Sequence, residues 1–137
     1  DQLNIGVTLK ANEMQTLVLL NQGKDGFKKM PLPRGTQLSP IYGLLIEDLD
    51  QDGHLDILTA GNFYRAKPET GIYDGSYGTF LKGNGKGNFI TVPNKTSGLL
   101  IKGEVRDLVK IKTAKGNLIL VAKNNAAIQT IKFNIKK

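Results

Sequence analysis

The sequence predicts an all-β fold built from antiparallel sheets, and three observations carry that expectation. Sixteen glycines and few aromatic residues describe a chain of many turns. Its apolar runs are only about five to seven residues long, the length of strands rather than helices. The chain also matches itself at a period of about sixty-two residues, a size suited to a unit of a few antiparallel strands. At 137 residues it suits one compact domain with a real core.

The strands follow in order. The first unit ends with strands near 4–9, 16–20 and 27–30, where Leu17-Val-Leu-Leu20 and Phe27 flank a Gly-rich connection. A full unit follows at 41–47, 55–60, 76–82 and 88–92. Its first two strands are the short apolar runs Ile41-Tyr-Gly-Leu-Leu-Ile46 and Leu55-Asp-Ile-Leu-Thr-Ala60, which lack helix caps and helical periodicity. A last unit is expected at 105–112, 117–122 and 127–133, where Ile128-Gln-Thr-Ile131-Lys-Phe133 alternates as a half-exposed strand does. The segments are therefore 1–40, 41–95 and 103–137.

The repeat is explicit in the residues. Leu19, Gly23, Lys24, Phe27 and Pro31 recur as Leu81, Gly85, Lys86, Phe89 and Pro93, each set reading as strand, glycine hairpin and strand. A second match, offset by about sixty-three residues, sets Leu55-Asp-Ile-Leu against Leu118-Ile-Leu-Val and Asn62 against Asn125. Units of this size point to stacked sheets or propeller blades.

One loop carries chemistry. Asp48, Asp50, Asp52 and Asp56 place carboxylates at positions 1, 3, 5 and 9 of a loop whose sixth residue is Gly53. Alternating carboxylates around a turn glycine suit a hard cation with oxygen ligands, and Ca2+ accepts many oxygens in flexible geometry. An EF-hand is rejected, because position 12 is Thr59 rather than Glu and the flanks read as strands. In the second copy the sixty-three-residue offset puts Gly116 under Gly53, but Ile111, Thr113, Lys115 and Ile119 under the four aspartates. That copy is expected to fold without metal, which makes the carboxylates of the first loop a device for the ion rather than for the fold.

Asp48 to Asp56 followed by Ile57-Leu-Thr-Ala-Gly61-Asn62 resembles the FG-GAP/VCBS repeat, and Leu20-Asn21-Gln-Gly23-Lys-Asp-Gly26-Phe27 resembles the hairpin that closes the preceding repeat of that family. The run from Gln37 through Tyr64, Tyr73-Asp74, Ser76-Tyr77-Gly78 and Gly103-Glu-Val-Arg106-Asp107 is similar to the C-terminal end of large Bacteroidetes-type VCBS-repeat proteins. The resemblance implies a β-propeller of antiparallel four-stranded blades, of which this chain holds about two to three. The segments become the tail of a first blade, a complete Ca2+-binding blade and a degenerate final blade without a metal site. It implies Ca2+ in the loop joining the first two strands, with Asp48, Asp50, Asp52 and Asp56 as side-chain ligands and His54 giving its backbone carbonyl. It also implies a secreted or cell-surface protein, with the periplasm or the outer-membrane face as the alternative locations. The expected role is a scaffold for protein or glycan recognition, joined to further blades or to copies of itself through strands near 4–9 and 127–133.

A long connection from Gly61 to Tyr77 holds three of the four tyrosines. Tyr64, Arg65, Tyr73 and Asp74 are its candidate ligand-binding residues, against the plainer reading of a loop that folds back with its hydroxyls bonded internally. Catalysis has little support, since the single histidine is His54, there is no cysteine, and no serine stands in a G-x-S-x-G elbow. A module of a polysaccharide-processing enzyme is the competing expectation, because paired carboxylates can be distant in sequence. The net charge of +7 raises nucleic-acid binding as a third, but the lysines are sprinkled from Lys10 to Lys137 rather than gathered in a patch. No apolar stretch approaches the ~18 residues of a membrane-spanning helix.

Overall fold

The computed structural model describes residues 6, 7 and 9–133. Their strands form three antiparallel sheets, each in chain order. The first pairs β1 (Leu17–Asn21) with β2 (Phe27–Pro31). The second runs β3 (Ile41–Glu47), β4 (Asp56–Gly61), β5 (Thr79–Gly83) and β6 (Phe89–Val92). The third runs β7 (Val105–Thr113), β8 (Gly116–Lys123) and β9 (Gln129–Ile131), reached through a one-turn helix α1 (Asn94–Ser97). Among the described residues the sheets close into neither a barrel nor a ring, and no helix is long and apolar enough to cross a membrane.

Most strands fall where the apolar runs place them, with three differences. The strand expected near 4–9 involves residues 4, 5 and 8, which lie outside the described residues, while Gly6, Val7 and Leu9 are in no strand. The strand expected from residue 76 begins at Thr79, because Ser76 N–H is taken by the Asn62 side chain (3.1 Å) and Gly78 N–H by the Ser76 hydroxyl (3.1 Å). The strand expected over 127–133 is confined to Gln129–Ile131.

The four-stranded sheet is the middle layer, and β4 is buried along its whole length. Side chains alternate across a strand, so β4 feeds two cores. Leu58 and Ala60, with Phe80, join Leu108, Ile119 and Val121 of the third sheet in the larger core. On the opposite face Ile57 and Leu81 pack with Leu32, Val18 and Phe89 against the first hairpin. β3 and β7 approach closely where Gly43 has no side chain: a Cβ there would stand 2.8 Å from Leu108 Cγ. Arg106 of β7 lies 4.5 Å from the centre of the Tyr42 ring, and Lys110 pairs with Glu47.

The internal repeat is written into the registers. Val18↔Met30 and Asn21↔Phe27 in the first hairpin correspond to Phe80↔Val92 and Gly83↔Phe89 in the second sheet, sixty-two residues on at every position. The second repeat corrects the single offset of sixty-three. Both β3 and β7 carry a one-residue irregularity, at Tyr42 and at Arg106. The bond from Asn62 N–H to the Pro40 carbonyl (3.1 Å) has its counterpart from Asn124 N–H to the Glu104 carbonyl (2.8 Å). β3 therefore maps onto β7 by sixty-four residues and β4 onto β8 by sixty-two, which makes Leu44 the counterpart of Leu108 and Ile57 that of Ile119.

Candidate metal centre

The acidic loop is the connection between β3 and β4, and its shape follows from where its backbone donors go. Leu49 is 7 % exposed and plugs the loop into the larger core, which leaves the flanking aspartates outside. The chain then turns back through two left-handed residues, Gln51 (φ 61°) and Gly53 (φ 90°). Asp48 accepts from Asp52 N–H (3.1 Å) and Gly53 N–H (3.0 Å), Asp50 from Asp52 N–H (3.2 Å), and Asp52 from His54 N–H (2.9 Å). Short side chains bonding the backbone a few residues on are what Asp supplies in a tight turn.

Asp56 differs from the others. It opens β4, is fully buried, and joins three segments: one oxygen accepts from Leu49 N–H (3.0 Å) and Asp50 N–H (3.4 Å), the other from Gly83 N–H of β5 (2.9 Å). Gly83 is required for that contact, since a Cβ there would fall 2.0 Å from the Leu55 carbonyl oxygen. The carboxylate oxygens of Asp48, Asp50 and Asp56 lie within 4.8 Å of one another. That spacing fits oxygens ~2.3–2.6 Å from one shared Ca2+, which stand up to ~5 Å apart across the ion.

Three of the four expected side-chain ligands therefore converge. The fourth, Asp52, faces Lys82 instead, with its carboxylate 2.7 Å from the Lys82 ammonium, and Lys82 also bonds Asp50. The ammonium and then the His54 N–H hold the Asp52 carboxyl below the usual carboxylate range, while Asp50 and Asp52 push the Lys82 ammonium above its ordinary value. The His54 ring rests on Gly85 of the β5–β6 turn, where a Cβ would stand 2.6 Å from Nδ1. Lys82 was not among the expected site residues. Its approach depends on β5 lying beside β4, a pairing that spacing along the chain does not disclose.

The shifted mapping also revises the second copy. Ile111 and Ile119 are strand residues of the third sheet, and Asp48 and Asp56 correspond to Lys112 and Leu118 rather than to them. The ladder closes at Thr113↔Gly116 around the two residues Ala114-Lys115, so the positions of Asp50 and Asp52 have no counterpart in this tighter hairpin.

Of the connection between β4 and β5, Tyr64 and Asp74 are bonded to each other (2.9 Å), while Arg65 and Tyr73 have exposed side chains. Phe63 and Tyr73 exchange backbone bonds of 2.9 and 2.8 Å, which folds the loop back on itself. Burial, and then the Asp74 carboxylate, raise the Tyr64 hydroxyl above its ordinary pKa. Two buried polar residues anchor the loop. Asn62 accepts from the Ser39 hydroxyl (2.7 Å) and donates to Asp74 (3.0 Å), the Ser76 carbonyl (2.8 Å) and the Gly103 carbonyl (3.1 Å). Glu104, 3 % exposed, accepts from Tyr64 N–H (3.0 Å), the Asn124 amide and Arg106. The Asn124 amide first, then Tyr64 N–H and the Arg106 guanidinium, hold its carboxyl below the usual range. Tyr64, Arg65, Glu104 and Asn124 border a cavity of about 250 Å3. Glu104 was legible only as one more acid near Asp107; its partners come from distant segments.

Compared with known proteins, the chain matches no family model, no curated protein and no solved structure.

Proposed function

We propose that this chain is a Ca2+-binding segment of a β-propeller of the FG-GAP/VCBS kind, a non-enzymatic scaffold for protein or glycan recognition in an exported protein. The observation that carries the reading is the convergence of Asp48, Asp50 and Asp56 at the end of the middle sheet, on a loop fastened to β5 through Gly83. Asp48, Asp50, Asp52 and Asp56, with the His54 carbonyl, would hold the ion, which would neutralise the crowded carboxylates and cross-link the loop to the sheet. Counting Lys82, those groups carry a formal charge of −3, enough to favour a divalent cation over water.

The stacking supports the propeller part. The face that the third sheet turns to the middle sheet (Leu108, Ile119, Val121) is the counterpart of the face that the middle sheet turns to the first hairpin (Leu44, Ile57, Thr59). Each sheet thus presents its opposite face to the next, as successive blades do; a back-to-back sandwich would bring like faces together. The test is calorimetric titration of the metal-free protein with Ca2+: one ion per chain, lost in Asp50→Ala, is expected. No binding at millimolar Ca2+ would refute the metal reading.

A further inference from the structure

Leu44 and its counterpart Leu108 occupy the same position in successive sheets, yet Leu108 is 4 % exposed and Leu44 is 52 % exposed. Leu108 is covered because β3 passes directly over it at Gly43. Among the described residues Leu44 has no such cover. It shares its sheet face with Ile46 and Ile57, as the pairs Leu44↔Thr59 and Ile46↔Ile57 require, and the first hairpin covers Ile57 but leaves Ile46 half exposed. The first hairpin corresponds, register for register, to β5–β6, the outer half of the middle sheet. In that sheet the inner edge of β5 is paired with β4, whereas among the described residues β1 pairs with β2 alone.

Resting on the propeller reading above, we infer that the stripe Leu44 and Ile46, together with the open edge of β1, is the docking surface for a β-hairpin of the β3–β4 kind. Its outer strand would add to β1, and its inner strand would cover Leu44 as β3 covers Leu108. The stripe is continuous with an existing sheet-to-sheet interface, since Ile57 on the same face already packs against Leu32 and Val18. An open strand edge beside an apolar stripe exposes unpaired backbone groups and apolar surface together, and an added hairpin removes both.

The test joins a second copy of residues 41–61 directly to Asp1 of the full chain and follows amide hydrogen exchange with and without the addition, in dilute protein. At least tenfold slower exchange is expected at the β1 amides not bonded to β2, with shifted methyl resonances at Leu44 and Ile46. Leu44→Lys with Ile46→Lys in the original β3 should cancel both effects. The same hairpin supplied as a separate peptide in Ca2+ is a second arm that does not depend on the fusion folding. Unchanged exchange at β1 and unchanged methyls in both arms would overturn the inference. So would equal protection in the unmodified chain that rises with its own concentration, since the occupant would then be a second copy. Ca2+ binding by Asp48, Asp50 and Asp56 is measured separately, so failure of the hairpin leaves the metal reading to its own titration.

Discussion

Replacing Asp56 by Ala should destabilise the protein even where no metal can bind. The side chain is fully buried and satisfies Leu49 N–H, Asp50 N–H and Gly83 N–H, and alanine would leave those three donors facing one another across a gap. A hydrogen bond to a charged acceptor contributes roughly 1.5–3 kcal/mol, and a buried donor left unpaired costs about 1–3 kcal/mol. The Asp50 contact is long and the loop can admit water, so we expect a loss of about 3–5 kcal/mol. That is a large share of the ~5–15 kcal/mol available to a domain. The assay is urea denaturation in excess chelator, comparing wild type, Asp56→Ala and Asp50→Ala. The midpoint should fall sharply for Asp56→Ala and move little for Asp50→Ala, whose partly exposed carboxylate is crowded by Asp48 and Asp56 and paired with a Lys82 side chain that is itself partly exposed. Equal midpoints for wild type and Asp56→Ala would refute the claim that this carboxylate is a structural junction.

Lys82→Met should strengthen Ca2+ binding by roughly tenfold in a calorimetric titration, since the ion would no longer have to displace an ammonium from Asp50 and Asp52; unchanged or weaker affinity would count against competition. Glu104 has a folded-state pKa below its ordinary 4.5, so its contribution is complete above that value and is lost as pH falls through the depressed folded value; Glu104→Gln should flatten the acid limb of a stability–pH curve, and an unaltered limb would contradict this. Leu58→Ala removes a fully buried side chain between β4 and the third sheet and should cost about 3 kcal/mol, close to 10 °C in Tm by thermal melt.

The strands were legible because their causes are local. Apolar runs of strand length between glycine turns gave seven of the nine described strands within about one residue of their observed bounds, and the match of Leu19 and Phe27 with Leu81 and Phe89 holds in three dimensions as an unbroken register. The second repeat was read one residue out for a physical reason. Antiparallel register depends on the sum of paired positions, and shifts of sixty-four and sixty-two give the same sum as two of sixty-three. Only the irregularities at Tyr42 and Arg106 and the turn bonds of Asn62 and Asn124 separate the two, and none of these has a sequence signature. The carboxylates of the loop were visible as an alternating pattern, but their division of labour was not. Asp56 becomes a buried junction because β5 delivers Gly83 to it, and Asp52 turns aside because β5 also delivers Lys82. Glu104 and Asn62 gather partners from segments tens of residues away, which no local pattern announces.

The central claim is that the loop from Asp48 to Asp56 holds Ca2+, and a thermal melt with Ca2+ against excess chelator tests it most directly. With ~1 mM Ca2+ and a Kd of ~10 μM, binding to the folded state alone adds about 2.7 kcal/mol. For a chain of this length that amounts to a rise of ~9 °C in Tm. The account predicts this rise for the wild type and none for Asp50→Ala; identical melts in Ca2+ and in chelator would contradict it.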